Sequence, residues 1–104
     1  MPKKASLPEY VYPCGKKFKV TVGPIKCENT YGETYGIEKV IKLSNSKDKS
    51  EYTWQTLYHE YLHAILHCTG MSQLLSEEQE EALVVAIEEN TFHLVDCNKM
   101  ADKS

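Results

Sequence analysis

The chain has 104 residues, a hydrophobic fraction of 41% and a charged fraction of 26%, which together indicate one ordinary globular domain. Its net charge of −3 excludes a general attraction to nucleic acid or to anionic membranes. No apolar run approaches the roughly 20 residues that cross a bilayer, and the first residues lack the apolar stretch of a signal peptide. We therefore expect a cytoplasmic protein.

The sequence divides into an N-terminal arm, one domain and a tail. Residues 1–15 contain three prolines and predict an irregular arm. Residues 16–97 carry the periodic patterns of a single domain, and residues 98–104 predict a frayed tail. The four cysteines lack C-x-x-C spacing and are expected to be unpaired thiols: Cys14, Cys27, Cys68 and Cys97.

The first half of the domain predicts strands. Residues 16–22 alternate polar with apolar residues, which indicates a strand with one buried face. Residues 25–35 fit either a weak strand or a loop around Gly32. Residues 35–43 predict a further strand, with a bulge where the apolar pattern slips near residues 38 and 39. The apolar positions of the first of these strands are Phe18, Val20 and Val22.

The second half predicts two helices. Ser50 is the expected N-cap of the first helix, and Gly70 is its expected stop. Ser76 and Gln79 form a capping-box pattern that starts the second helix. Strands followed by two helices predict an α+β fold, in which a small antiparallel or mixed sheet of two to four strands packs on two main helices. The apolar face of the first helix is Trp54, Leu57, Tyr58, Tyr61, Leu62, Ile65 and Leu66, and that of the second is Leu83, Val84, Ile87, Leu94 and Val95.

The chemical signal is the run HEYLH at residues 59–63, inside the first helix. Residues four apart on a helix lie on one face, so His59 and His63 can direct two imidazoles at one metal ion. Glu60 projects roughly 100° away from His59. That offset is typical of zinc peptidases, where the carboxylate takes a proton from the attacking water and gives it to the leaving amine.

A catalytic zinc ion usually has three protein ligands and one open position. His67 extends the histidine series, but on an unbroken helix it lies about 6 Å of axial rise beyond His63. We therefore expect His67 to support the site rather than to bind the metal, although it stays an alternative ligand. The second helix should return antiparallel to the first, and Glu80 or Glu81 at its start could supply the third ligand.

The stretch HEYLHAILH followed by EEALVVAI resembles the gluzincin group of zinc peptidases. It is most similar to small phage-borne, zincin-like metallopeptidases related to the immunity-region and radiation-response peptidases of bacteria. The resemblance covers about residues 35–95 and implies one zinc ion per chain, with Glu81 as third ligand and a further histidine at His67. Glu80 stays an alternative ligand, because it also borders the apolar face of the second helix. The chain lacks the helix-turn-helix domain of larger relatives and the cysteine ribbon of other short zincins.

The oxyanion of a tetrahedral intermediate also needs a partner, and the chain contains no arginine. The resemblance implies that a peptide substrate adds to the strand before the helix, here residues 35–43. The candidate oxyanion or substrate contacts are Tyr31, Tyr35, Tyr58, Tyr61 and His93.

Two hypotheses follow for the function. The first is a zinc-dependent peptidase with a peptide or protein substrate, encoded by a phage or another mobile element, in which Glu60 is the general base. The second is a zinc-stabilised binding or assembly module without turnover. Such a structural site would have a fourth protein ligand, for which His67 and Cys68 are the candidates.

Overall fold

The computed structural model of the protein describes residues 7–23, 32–44 and 53–101. These residues form a four-stranded mixed sheet packed against helices, which confirms the predicted α+β class. In chain order the elements are strands β1 (Tyr10–Val11), β2 (Phe18–Gly23), β3 (Gly32–Tyr35) and β4 (Val40–Ser44), and helices α1 (Thr53–Cys68), α2 (Glu77–Thr91) and α3 (Cys97–Met100).

The strands lie in the order β1-β2-β4-β3. β2 and β4 are parallel, whereas β1 and β3 pair antiparallel with their neighbours. β4 is therefore an interior strand, with a partner on each side. β3 is at the edge of the sheet and has one strand partner among the described residues.

The prediction of one strand over residues 35–43 is wrong. Tyr35 ends β3 and pairs with Val40, the first residue of β4, so residues 36–39 form a turn between two antiparallel strands. Lys39 has a φ of 59°, and Ile37 is 93% exposed at this turn. The slip in the apolar pattern therefore marks a chain reversal rather than a bulge. In the ambiguous segment before it, residues 32–35 are a strand, and residues 24–31 lie outside the described residues.

The core lies between α1 and the inner face of the sheet. Phe18 and Val20 are buried as predicted, together with Ile41 and Leu43 of β4. Val22 was expected on the same buried face but is 53% exposed. Val22 pairs with the buried Leu43 on one side, but it lies beyond the part of β2 that pairs with β1, so its other side has no strand neighbour among the described residues.

The apolar face predicted for α1 is confirmed. Four of its side chains are buried, and the other three pack against them while remaining partly exposed. Gly70 follows the helix with a left-handed φ of 82°, which suits a C-terminal stop. Ser50, the predicted N-cap, lies outside the described residues. The buried four are Trp54, Leu57, Tyr58 and Leu62, and the partly buried three are Tyr61, Ile65 and Leu66.

Helix α2 begins as predicted, because Ser76 and Gln79 form both hydrogen bonds of a capping box. Its apolar face is narrower than expected. Val84 is fully buried, but Leu83 is 39% exposed, and Leu94 lies in a following 3₁₀ turn with 74% exposed. The remaining space against α1 is filled by polar side chains of α2, which form the site described below.

Both ends of the described chain are more ordered in structure than the sequence predicts. In the segment expected to be an irregular arm, β1 places Val11 fully within the core. In the segment expected to fray, α3 ends at Met100, which is only 3% exposed. The Tyr12 backbone amide donates a hydrogen bond to the Met100 carbonyl oxygen, so the two ends support each other.

Candidate metal centre

Helix α1 presents His59 and His63 on the side that faces α2. The two imidazole rings lie with their centroids 5.1 Å apart, as expected for residues one helical turn apart. Their side chains are 18% and 17% exposed, so both rings are largely shielded from water but still reachable. The geometry therefore brings together the two histidines that the sequence identified.

Helix α2 runs antiparallel to α1 and places Glu81 opposite both rings. A Glu81 carboxylate oxygen lies 3.0 Å from His63 Nε2, and its other oxygen lies 3.3 Å from His59 Nε2. One ligand atom from each residue falls within 4.8 Å of the others, so this group could hold a metal ion. Two ligand atoms of a tetrahedral zinc site, each about 2.0–2.1 Å from the ion, lie about 3.3 Å apart. The two separations between Glu81 and the histidines, 3.0 and 3.3 Å, are close to that value.

Two further carboxylates contact the histidines at Nδ1, the ring nitrogen that does not face Glu81. Glu88 lies 2.7 Å from His59 Nδ1, and Glu80 lies 2.6 Å from His63 Nδ1. Such a carboxylate fixes the ring orientation and leaves Nε2 as the metal-binding atom. The prediction that Glu80 supports the site is therefore consistent with its contact to Nδ1 rather than Nε2.

Glu88 is a site residue that the sequence analysis did not identify. Its side chain is only 14% exposed, and it also accepts a hydrogen bond of 2.6 Å from the Gln55 amide. Glu88 follows Glu81 by seven residues, which is close to two helical turns and puts both carboxylates on one face. That spacing was the available signal in the sequence.

The protonation of this cluster favours a cation between the three inner groups. A neutral imidazole has one N–H, and the contacts with Glu80 and Glu88 place that hydrogen on Nδ1 of each ring. Each Nε2 then presents a lone pair to the Glu81 carboxylate, which is unfavourable unless a proton or a metal ion lies between them. Burial lowers the pKa of His59, but its hydrogen bond to Glu88 and the charges of nearby glutamates outweigh this effect and raise it.

Glu60 lies beside this group and is the only buried charged residue among those described, with 6% exposed. Its carboxylate accepts a hydrogen bond of 2.7 Å from the Thr34 hydroxyl on β3. Burial raises the pKa of Glu60 above its ordinary value, and the Thr34 hydrogen bond and the two histidines oppose that rise. A carboxylate with a raised pKa, close to a metal centre, is suited to accept a proton near neutral pH.

An open cavity of about 550 Å³ adjoins the metal centre and shares His63 and Glu81 with it. Ser72 and Leu75, in the connection between the helices, line its wall. His67 also borders the cavity, and its ring lies so close to the backbone of Gly36 that a Cβ atom there would be 2.8 Å away. His67 therefore neighbours the site but is not one of the grouped ligand atoms.

The fourth-ligand candidates of a structural zinc site do not join the group. Cys68 is a free thiol directed at the Pro13 carbonyl oxygen, 3.9 Å from its sulfur. His67 contacts Gly36 instead, so the group found among the described residues consists of three ligand atoms, from His59, His63 and Glu81.

The aromatic residues proposed for the oxyanion or the substrate point elsewhere. The Tyr58 hydroxyl bonds to Thr91 Oγ1 at 2.8 Å, and its ring packs on Phe92 in the helix interface. The Tyr35 hydroxyl donates to Glu33, on the face of β3 opposite to Thr34. Neither hydroxyl contacts the three grouped ligand atoms. Tyr58 instead belongs to the apolar face of α1, and Tyr35 lies on the side of β3 away from Glu60.

The other three candidates for the oxyanion or the substrate are His93, Tyr61 and Tyr31. His93 is exposed in the 3₁₀ turn after α2 and does not belong to the group of ligand atoms. Tyr61 is half-buried against the core, and burial raises the pKa of its hydroxyl. Tyr31 lies outside the described residues.

No known family, no curated protein and no solved structure matches this chain. The likeness to zinc peptidases therefore rests on the motif itself, and it stays a prediction. Across the described ranges, no helix has the length and apolar character needed to cross a membrane. Fold and site together define a small α+β protein with a candidate two-histidine, one-glutamate metal centre.

Proposed function

We propose that this protein is a zinc-dependent peptidase. The observation that carries the proposal is the convergence of His59 Nε2, His63 Nε2 and the Glu81 carboxylate, with the buried carboxylate of Glu60 beside them. Two imidazoles and one carboxylate with an open fourth position form a common ligand set of catalytic zinc. The proposal includes one zinc ion per chain.

The roles of the residues follow from their contacts. His59, His63 and Glu81 would hold the ion, and Glu80 and Glu88 would orient the two rings through Nδ1. When bound, zinc acts as a Lewis acid that polarises a carbonyl group and makes water more acidic. Glu60 would accept the proton of the attacking water on a carboxylate oxygen and donate it to the departing peptide nitrogen.

The substrate would be an extended peptide that adds to the sheet at β3. The strand assigned to this role in the sequence, residues 35–43, includes β4, which has neighbours on both sides and cannot accept another strand. Among the described residues β3 is an edge strand of the sheet, and it contacts α1 directly at Glu60. The adjoining cavity of about 550 Å³ has room for a side chain of the peptide next to the metal centre.

The cytoplasm as location and a phage or mobile element as source remain predictions from the sequence. The alternative function, a zinc-stabilised module without turnover, would need a fourth protein ligand. The group found among the described residues contains three. The alternative also gives no chemical role to Glu60, whose buried carboxylate is not one of the three grouped ligand atoms.

The test compares four proteins after loading with zinc: wild type, Glu81→Ala, Glu60→Gln and Glu78→Gln. Glu78 is exposed in the first turn of α2 and serves as a control for loss of one carboxylate. Zinc content is measured by mass spectrometry, and hydrolysis is measured on a library of internally quenched peptides.

We expect about one zinc ion per chain in wild type, Glu60→Gln and Glu78→Gln, and a large loss of zinc in Glu81→Ala. We expect hydrolysis to fall by about 10²–10⁴-fold in Glu60→Gln and to persist in Glu78→Gln. Zinc-loaded wild type that cleaves no peptide would support the binding module instead. A wild type that takes up no zinc would end both hypotheses.

A further inference from the structure

Strand β3 contacts Glu60 through a side-chain hydroxyl as well as through its backbone. The Thr34 hydroxyl lies 2.7 Å from Glu60 Oε1 and 3.0 Å from the Glu60 backbone oxygen. A hydroxyl group has one hydrogen to donate, and the shorter contact is the one with the carboxylate. Thr34 therefore fixes both the position of Oε1 and the rotation of the carboxylate about its last bond.

A second residue of β3 shapes the space around the same carboxylate. Gly32 is buried, and a Cβ atom there would lie 2.9 Å from Glu60 Cγ and 3.2 Å from Glu60 Oε2. Only a residue without a side chain leaves Glu60 in this position. Gly32 and Thr34 lie two apart, so both face α1 from the same side of the strand.

We propose that Thr34 is a positioning residue that holds Glu60 by Oε1, within the space left by Gly32, and so couples the general base to the strand that binds substrate. The inference rests on the proposed peptidase function. With Oε1 occupied by the Thr34 hydroxyl, Oε2 is the oxygen that takes the proton from water.

The coupling follows from the place of β3 in the sheet. The outer side of β3 has no strand partner among the described residues, so a peptide that pairs with this side would take its register from the backbone of residues 32–35. The same four residues carry the two contacts with Glu60. The same strand would therefore position both the scissile carbonyl and the general base. Their relative position matters, because a misplacement of about 1 Å can reduce the rate about 10²-fold.

The test uses Thr34→Val, which removes the hydroxyl and keeps the shape, and Thr34→Ser, which restores the hydroxyl. Thr21→Val, on β2 of the same sheet, is the matched control for a Thr→Val change in a strand. Gly32→Ala perturbs Glu60 independently, through the neighbouring position, and provides a second variant if Thr34→Val does not fold. Each protein is examined for zinc content, for kcat and KM on one peptide selected from the library, and by crystallography of the zinc-loaded form.

We expect full zinc content in every variant. In Thr34→Val we expect kcat to fall about 10–100-fold with a smaller change in KM, and the Glu60 carboxylate to leave its position in the crystal. Thr34→Ser should recover kcat to within about threefold, and Gly32→Ala should resemble Thr34→Val. A merely structural role would leave kcat unchanged in the folded variants.

The proposal is overturned if Glu60 keeps its position in Thr34→Val, or if Thr34→Ser is as slow as Thr34→Val. The crystal structures report the position of Glu60 whether or not peptides are cleaved. A wild type without hydrolysis would therefore refute the peptidase function, while the crystallographic comparison would still decide whether Thr34 holds Glu60.

Discussion

Removal of the Glu88 carboxylate should weaken metal binding although Glu88 is not itself a ligand. The substitution Glu88→Ala leaves His59 Nδ1 without its partner at 2.7 Å and frees the Gln55 amide from its bond of 2.6 Å. The imidazole of His59 is then free to rotate or to change tautomer, and its Nε2 no longer points permanently at Glu81.

The size of the effect can be worked out from these contacts. Loss of an outer carboxylate that orients a ligating histidine typically costs 10–100-fold in metal affinity, or about 1.4–2.7 kcal/mol. Glu88 is shielded, and its contact with the ring is short, so we expect Glu88→Ala near the upper end of this range. Glu88→Gln keeps an acceptor oxygen but loses the charge, and it should lie near the lower end.

The assay is competition for zinc between the protein and a chromophoric chelator at fixed pH. Glu89→Ala is the matched control, because Glu89 is the next residue on α2, carries the same charge and is exposed. Equal zinc affinities for Glu88→Ala and Glu89→Ala would show that only net charge matters. The assignment of Glu88 to the histidine support would then be refuted.

Two predictions concern the metal-free protein. Met100→Ala should lower the free energy of unfolding by about 2–5 kcal/mol in urea, because Met100 is 3% exposed, whereas Met71→Ala, at a site 40% exposed, should have little effect. Stability should also fall as pH rises above 6.5: the folded-state pKa of His59 is raised, so its contribution is complete below 6.5 and is lost as pH rises through the raised value. The pKa of Glu60 is also raised, so Glu60 acts in the same direction, beginning from its ordinary value of 4.5. Stability that increases as pH rises above 6.5 would contradict the assignment for His59.

Features encoded locally could be predicted from the sequence. The capping box at Ser76, the helical spacing of HEYLH and the glycine stop after α1 each depend on residues within a few positions of one another. The chain reversal between β3 and β4 is also a local feature, but it was not predicted. Its turn includes Lys39 at a φ of 59°, a residue type that gives no signal for that conformation.

Features that depend on how elements pack could not be predicted. The seven-residue spacing puts Glu88 on the same side of α2 as Glu81, but which side of α2 faces the histidines depends on the packing of Val84 into the core. The contact between Thr34 and Glu60 spans 26 positions and depends on β3 being the edge strand nearest α1. The sequence identifies the HEYLH motif, but the packing of the helices against each other and against the sheet determines which residues contact it.

The polar interface between α1 and α2 connects the metal centre to the stability of the fold. From α2, only Val84 is fully buried, and the other contacts with α1 include a tyrosine–threonine hydrogen bond and the histidine–glutamate pairs. Three carboxylates of α2 lie against the two histidines of α1, those of Glu80, Glu81 and Glu88. If the group binds a divalent ion as proposed, the ion would take ligands from both helices and tie α1 to α2. The groups that could hold a metal ion are therefore the same groups that make the interface between α1 and α2 polar.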